Sequence, residues 1–181
     1  MKKVLKFIGI IFGIIIILFA LYMFMPRVEK VSAGSDGGVL SEGDMAPDFT
    51  AELVNGLTFT LSDHSDECVL INFWATWCGP CVGEMPAFEK LKEDDIDNLE
   101  IICINCREDR KTVDRFVKEN GYTFNIAYDT NGAIGNSYPT NGIPYTVIVY
   151  KGKIENIYVG ALDAQTQYNE YLSAIKECLG E

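Results

Sequence analysis

Two cysteines three residues apart, Cys78 and Cys81, stand where an apolar run ends and a helical pattern begins. A thiol at the start of a helix faces unsatisfied backbone N–H groups and the positive end of the macrodipole. Both favour the thiolate, which is the reactive form. With a second sulfur three residues on, the pair can close into a disulfide while a partner is reduced, or open while a partner is oxidised. Cys78 is then the expected nucleophile, and Cys81 the thiol that resolves the mixed disulfide. The same residues also fit a permanent disulfide or half of a zinc site. Zinc would need two more ligands at suitable spacing, and the single histidine, His64, lies in a polar stretch. This reading needs neither metal nor cofactor.

The elements around the pair follow from pattern. Val69 to Trp74 is nearly all apolar, as expected of a strand covered on both faces, so Cys68–Phe73 reads as a central strand. Gly79 and Pro80 turn the chain into a helix running to about Glu93, which Pro86 should kink. Glu84 falls one turn beyond Cys81, as either a proton-exchanging neighbour or a solvated surface acid. Upstream, Asn55-Gly56 is a hairpin turn between Thr50–Val54 and Leu57–Leu61, and Ser62 to Glu67 is a polar connection. Downstream, Asn98–Asn105 reads as a strand and Lys111–Asn120 as an amphipathic helix with Val113, Phe116 and Val117 at core spacing, ended by Gly121. A short strand at Phe124–Tyr128 and a short helix or turn at Ala133–Tyr138 come next. Strands Tyr145–Tyr150 and Lys153–Val159 flank a Lys151-Gly152 turn, and Ala164–Leu179 closes the chain as a helix. This order argues an α/β fold, a mixed central sheet with helices on both faces.

Phe73-Trp-Ala-Thr-Trp-Cys-Gly-Pro-Cys81 resembles the active-site segment of thioredoxins. The chain from about Gly43 to Leu179 is similar to the membrane-anchored TlpA/ResA-type thiol–disulfide oxidoreductases of the AhpC/TSA–Redoxin superfamily. Ala46-Pro-Asp-Phe49 with Asn55-Gly56 resembles their added N-terminal β-hairpin, and Gly142-Ile-Pro-Tyr-Thr146 their cis-proline loop. The resemblance implies a thioredoxin-like fold and a cis Ile143–Pro144 bond, although Pro144 alone could equally be a trans proline at a strand entry. Ile143 would then lie beside the sulfurs, where its backbone can pair with an extended substrate segment. Trp77, Gly79, Pro80, Ile143 and Pro144 are the implied substrate-binding residues. The resemblance also implies a functional role for Glu84 beside the catalytic Cys78 and Cys81. Asn72 departs from general thioredoxins, which carry a buried aspartate there. An amide cannot accept the proton of Cys81, so any base role moves to Glu84 or water.

Four cysteines remain. Cys103 fits a small core residue, and Cys106 either an incidental loop thiol or an accessory redox thiol at the active-site edge. They are not a second reactive pair, because in a strand their side chains point to opposite faces. In a thioredoxin-like layout Cys68 and Cys178 share the opposite edge, as a structural disulfide or as two free thiols.

The 181 residues allow one domain plus extras. Lys2, Lys3 and Lys6 precede nineteen uncharged residues, Phe7 to Met25, which Pro26 and Arg27 end. At about 1.5 Å per residue the run nearly matches a hydrocarbon core of about 30 Å. It exceeds the roughly 7–15 residues of a secretory apolar region, so a retained anchor at 1–26 is expected over a cleaved signal, despite the small residues Val31-Ser-Ala33. The lysines would stay in the cytoplasm and place the rest outside. Residues 27–43, rich in Gly and Ser, read as a flexible linker to a domain at 44–181. The first 26 residues hold three lysines and no acid, so the net charge of −11 becomes −14 without them. Such an acidic domain does not suit nucleic acid or an anionic membrane surface.

The expected function is therefore extracytoplasmic reduction of disulfides in exported client proteins. The resemblance suggests apocytochrome c as one such client, and a membrane thiol carrier as the electron donor. The Ala46-Pro-Asp-Phe49 opening also resembles peroxiredoxins, but those place a threonine three residues before the reactive cysteine, where Ala75 stands here. A disulfide-forming oxidase would show a potential nearer about −120 mV than about −270 mV. A non-enzymatic client-holding adaptor would tolerate loss of both sulfurs.

Overall fold

The computed structural model describes residues 39–181. The expected anchor at 1–26, and most of the linker, lie outside the described residues. Within residues 39–181, no helix is long and apolar enough to cross a membrane. Gly43, the last linker residue, already donates its N–H to the Ile154 carbonyl at 2.7 Å.

A five-stranded sheet forms the centre, ordered β5 (Asn125–Asp129), β4 (Leu99–Cys106), β3 (Cys68–Trp74), β6 (Tyr145–Tyr150) and β7 (Lys153–Val159). β3, β4 and β5 run parallel, whereas β6 and β7 pair antiparallel. β3 is buried at every position, which accounts for its unbroken apolar sequence. A separate hairpin pairs β1 (Thr50–Glu52) with β2 (Thr58–Thr60). Its turn is closed by Gly56 at φ 84° and by the Asn55 side chain, which accepts the Leu57 N–H. A 3-10 turn at Leu61–His64 replaces the first half of the expected polar connection, because Leu61 turns into the core.

The two faces of the sheet carry different covers. Helices α1 (Gly79–Glu93), α2 (Arg110–Asn120) and α4 (Ala164–Leu179) bury Met85, Phe88, Val113, Tyr171 and Ile175 on one face. On the other, the hairpin and the short α3 (Ala133–Ser137) bury Phe49, Phe59, Ile134 and Tyr138. Helix α2 is capped by Asp109, whose side chain accepts the Thr112 N–H, and ends at Gly121 in the left-handed region. This is the thioredoxin-like α/β fold with an added hairpin.

Cys68 and Cys178 meet where α4 packs on the start of β3, but as free thiols. The structural disulfide envisaged between them is not formed. Burial raises both thiols above their ordinary range.

Candidate active site

β3 ends at Trp74, and the chain turns through Ala75–Trp77 to present Cys78 as the N-cap of α1. The Cys78 sulfur accepts the Cys81 N–H at 3.3 Å, so the helix start and the reactive atom are the same place. Pro80 sits in the first turn, where its missing N–H costs nothing. Cys78 and Cys81 form a disulfide, with Cα atoms 5.2 Å apart. Cys81 is fully buried and Cys78 is 5% exposed, while Trp77 beside them is 73% exposed. Gly79 and Pro80 are also exposed.

Across from the sulfurs runs the loop before β6. The Ile143–Pro144 peptide is cis, and the Ile143 carbonyl oxygen lies 3.8 Å from the Cys78 sulfur. Pro144 is buried and Ile143 half-buried. The Pro144 carbonyl accepts the Gly160 N–H at 2.9 Å, tying the loop to the end of β7. A cavity of about 150 Å³ opens beside Ile143, walled by Phe73, Cys106, Arg107, Tyr138 and Thr140.

Glu84 is not a surface acid. It lies on the buried side of α1 with Cys81, Met85 and Phe88, and is fully inaccessible. Burial pushes its carboxyl from 4.5 up to about 7, against the opposing effect of hydrogen bonds from Tyr171 and Asn72. Tyr171 donates to Oε2 at 3.0 Å, and the Asn72 amide donates to Oε1 at 2.9 Å. Asn72, at the position of the thioredoxin aspartate, thus serves as a donor to a neighbouring carboxylate.

Cys103 and Cys106 point to opposite faces of β4, Cys103 into the core under α1 and Cys106 toward the cavity. Burial, with Asp129 nearby, pushes the Cys106 thiol up to about 11, which argues against an accessory nucleophile at neutral pH. Cys103 is raised further by complete burial and by Glu84.

One residue of the site is invisible to motif reading. Glu108 accepts from the Thr76 N–H at 2.7 Å, from the Thr76 hydroxyl at 2.5 Å and from the Asn105 amide at 2.8 Å. It pins the turn that delivers Cys78 from a loop thirty-two residues away. The available signal was weak, an acid just beyond the strand that neighbours the central one.

A Cys-x-x-Cys pair at a helix mouth, facing a cis-proline loop on a mixed sheet, defines the thioredoxin-like thiol–disulfide oxidoreductases. The chain matches the Redoxin family model over residues 41–175 and belongs to that family. It is 36% identical to the thioredoxin-like protein YneN of Bacillus subtilis, over 83% of this chain and 89% of that protein. Identity to the thiol-disulfide oxidoreductase ResA of the same organism is 31%, over 82% of each chain. Among solved structures, one assigned to the thiol:disulfide interchange proteins DsbE, from Chlorobium tepidum, superposes with a TM-score of 0.68 at 27% identity, covering 75% of this chain and 99% of that one. The protein is a thiol–disulfide oxidoreductase.

Proposed function

We propose that the protein is a membrane-tethered reductase of disulfides in exported proteins, with Cys78 as nucleophile and Cys81 as resolving thiol. The observation that carries this reading is the Cys78 sulfur at the head of α1, facing the Ile143 carbonyl across the cis-proline loop. In the reduced enzyme the helix start stabilises a Cys78 thiolate. That thiolate attacks one sulfur of the client disulfide; a mixed disulfide forms and the client's other sulfur leaves as thiolate. Cys81 then loses its proton to the Glu84 carboxylate and attacks the Cys78 sulfur. The second client sulfur departs, the client gains two electrons, and the Cys78–Cys81 disulfide results. A client segment docks in extended form along Ile143, against Trp77, Gly79, Pro80 and Pro144.

The uncharged run at 7–25 after three lysines supports a tether at 1–26, a linker at 27–43 and an extracytoplasmic domain at 44–181. Reducing equivalents then arrive from a membrane thiol carrier, and the similarity to ResA favours a cytochrome c maturation-like task with apocytochrome c among the clients.

Cys81→Ser tests the reading, because it leaves Cys78 without its resolving partner. Mixed disulfides with exported proteins should accumulate and identify the client by mass. If adducts form only with Cys78→Ser, the two sulfurs exchange roles, and if neither variant traps a protein, the client-reducing role is lost.

A further inference from the structure

Glu84 belongs to a closed ring of four buried polar side chains, drawn from four different elements. Asn72 on β3 donates one amide hydrogen to Glu84 Oε1 and the other to Thr146 Oγ1, both at 2.9 Å. Thr146 and Tyr171 share a hydrogen bond at 2.9 Å, and Tyr171 Oη donates to Glu84 Oε2 at 3.0 Å. All four are essentially inaccessible to solvent. Proton bookkeeping fixes the direction of the one ambiguous bond. Both Nδ2 hydrogens of Asn72 are engaged, and the Tyr171 hydrogen goes to the carboxylate, so the Thr146 hydroxyl must donate to Tyr171. The chain Asn72 to Thr146 to Tyr171 to Glu84 then runs one way, and Glu84 accepts at both ends, from Asn72 at Oε1 and from Tyr171 at Oε2.

The ring also spans the machinery. Thr146 is two residues after Pro144, at the start of the strand that carries the cis-proline loop, and Tyr171 sits mid-way along α4. Neither hydrogen-bonds to the disulfide sulfurs. We propose that Thr146 and Tyr171 are positioning residues for the reaction, which hold the ionised Glu84 carboxylate on the Cys81 face of α1 and tie it to the cis-proline strand. This rests on the reading of Glu84 as proton acceptor for Cys81.

The groups facing Glu84 can be named element by element. They are Asn72 from β3, the Cys103 thiol from β4 and Tyr171 from α4, with Thr146 of β6 bonded behind Asn72 and Tyr171 and Cys81 on the same buried side of its own helix. The two hydrogen bonds from Asn72 and Tyr171 are what stabilise the carboxylate. Removal of the Tyr171 hydroxyl should therefore move the Glu84 titration upward, by about one pH unit for one lost bond to a charged group.

The test uses the full reduced chain in detergent, with an infrared titration of the carboxyl band that Glu84→Gln removes. Tyr171→Phe and Thr146→Val are expected to move the midpoint of that band upward, while Thr146→Ser, which keeps the hydroxyl, restores it. Cys81's attack on a preformed Cys78 mixed disulfide should slow several-fold at neutral pH in the first two variants only. A structural role alone would lower thermal stability and leave the band where it is, and that result overturns the proposal. Failure of the underlying reading looks different. The band still moves in Tyr171→Phe, but Glu84→Gln leaves the pH profile of the Cys81 attack unchanged.

Discussion

Glu84 sets two opposed demands on one side chain. A carboxyl raised from 4.5 to about 7 holds a proton that the unfolded chain has already released between those values. The stability it contributes is fully present below 4.5 and is lost as pH rises through about 7, with a ceiling of about 3 kcal/mol at 1.36 kcal/mol per pH unit. Glu84→Gln is neutral throughout. In its oxidised form it should unfold at a urea midpoint close to that of the wild type at pH 5, and at a higher one at pH 8. Equal midpoints at pH 8 would show that the native carboxylate is not desolvated. The proposed proton transfer has the opposite preference, because only an ionised carboxylate could take the Cys81 proton. The remaining cysteines are governed by burial instead. Cys68, Cys103, Cys106 and Cys178 are free, and burial raises each thiol. Denatured, unreduced protein should titrate four thiols, and native protein should resist alkylation at Cys103 while Cys178 reacts first. A count of two would restore the bridge between Cys68 and Cys178.

Between elements, the precision of the site depends on contacts that cross the sheet edge. Glu108 holds Thr76 through its backbone and its hydroxyl, and also holds Asn105, so one carboxylate joins the β3–α1 turn to the end of β4. Glu108→Ala leaves the Thr76 N–H without its charged partner. The expected loss is about 2 kcal/mol of stability and a several-fold slower attack by Cys78, checked by denaturant unfolding and by single-turnover reduction of a model disulfide. Glu108→Gln should recover most of the stability, since its amide oxygen still accepts. The legibility of each element depends on how local its cause is. The β3 run, the Asn55-Gly56 turn and the Gly121 stop are written in adjacent residues, and the structure has each of them. Even the burial of Glu84 was present as spacing, since it shares the helix face of Cys81, Met85 and Phe88. The Thr76–Glu108 link and the Asn72–Thr146–Tyr171 ring were not legible, because their partners are tens of residues apart and neither end has a pattern of its own. Of the two readings left open for Cys68 and Cys178, the structure has the free thiols. Topology does bring the two residues together, but residue spacing alone could not decide whether they bond.

At the scale of the whole molecule, the contacts described above that build the site lie within residues 39–181. The pairing of Gly43, Asp44 and Ala46 with the β7 hairpin fastens the start of that segment to the sheet. A protein beginning at residue 39 should therefore fold and keep the redox pair. Its rate with a soluble model disulfide should match that of the full chain, since the contacts described around Cys78 and its loop come from residues 39–181. The difference should appear with a client held at the same membrane. If residues 27–43 tether the domain as proposed, both reactants are confined to a thin layer, and a second encounter within it is governed by an effective concentration in the millimolar range for short flexible linkers. Cutting the tether returns that encounter to bulk diffusion, so reduction of a membrane-bound client should fall by at least tenfold at micromolar enzyme. Alkaline extraction of membranes provides the control: the full chain stays with the lipid and the shortened one is released. Equal rates for the two proteins on a membrane-bound client would remove any kinetic purpose from the nineteen-residue apolar run. Recovery of the full chain in the soluble fraction would remove the anchor itself.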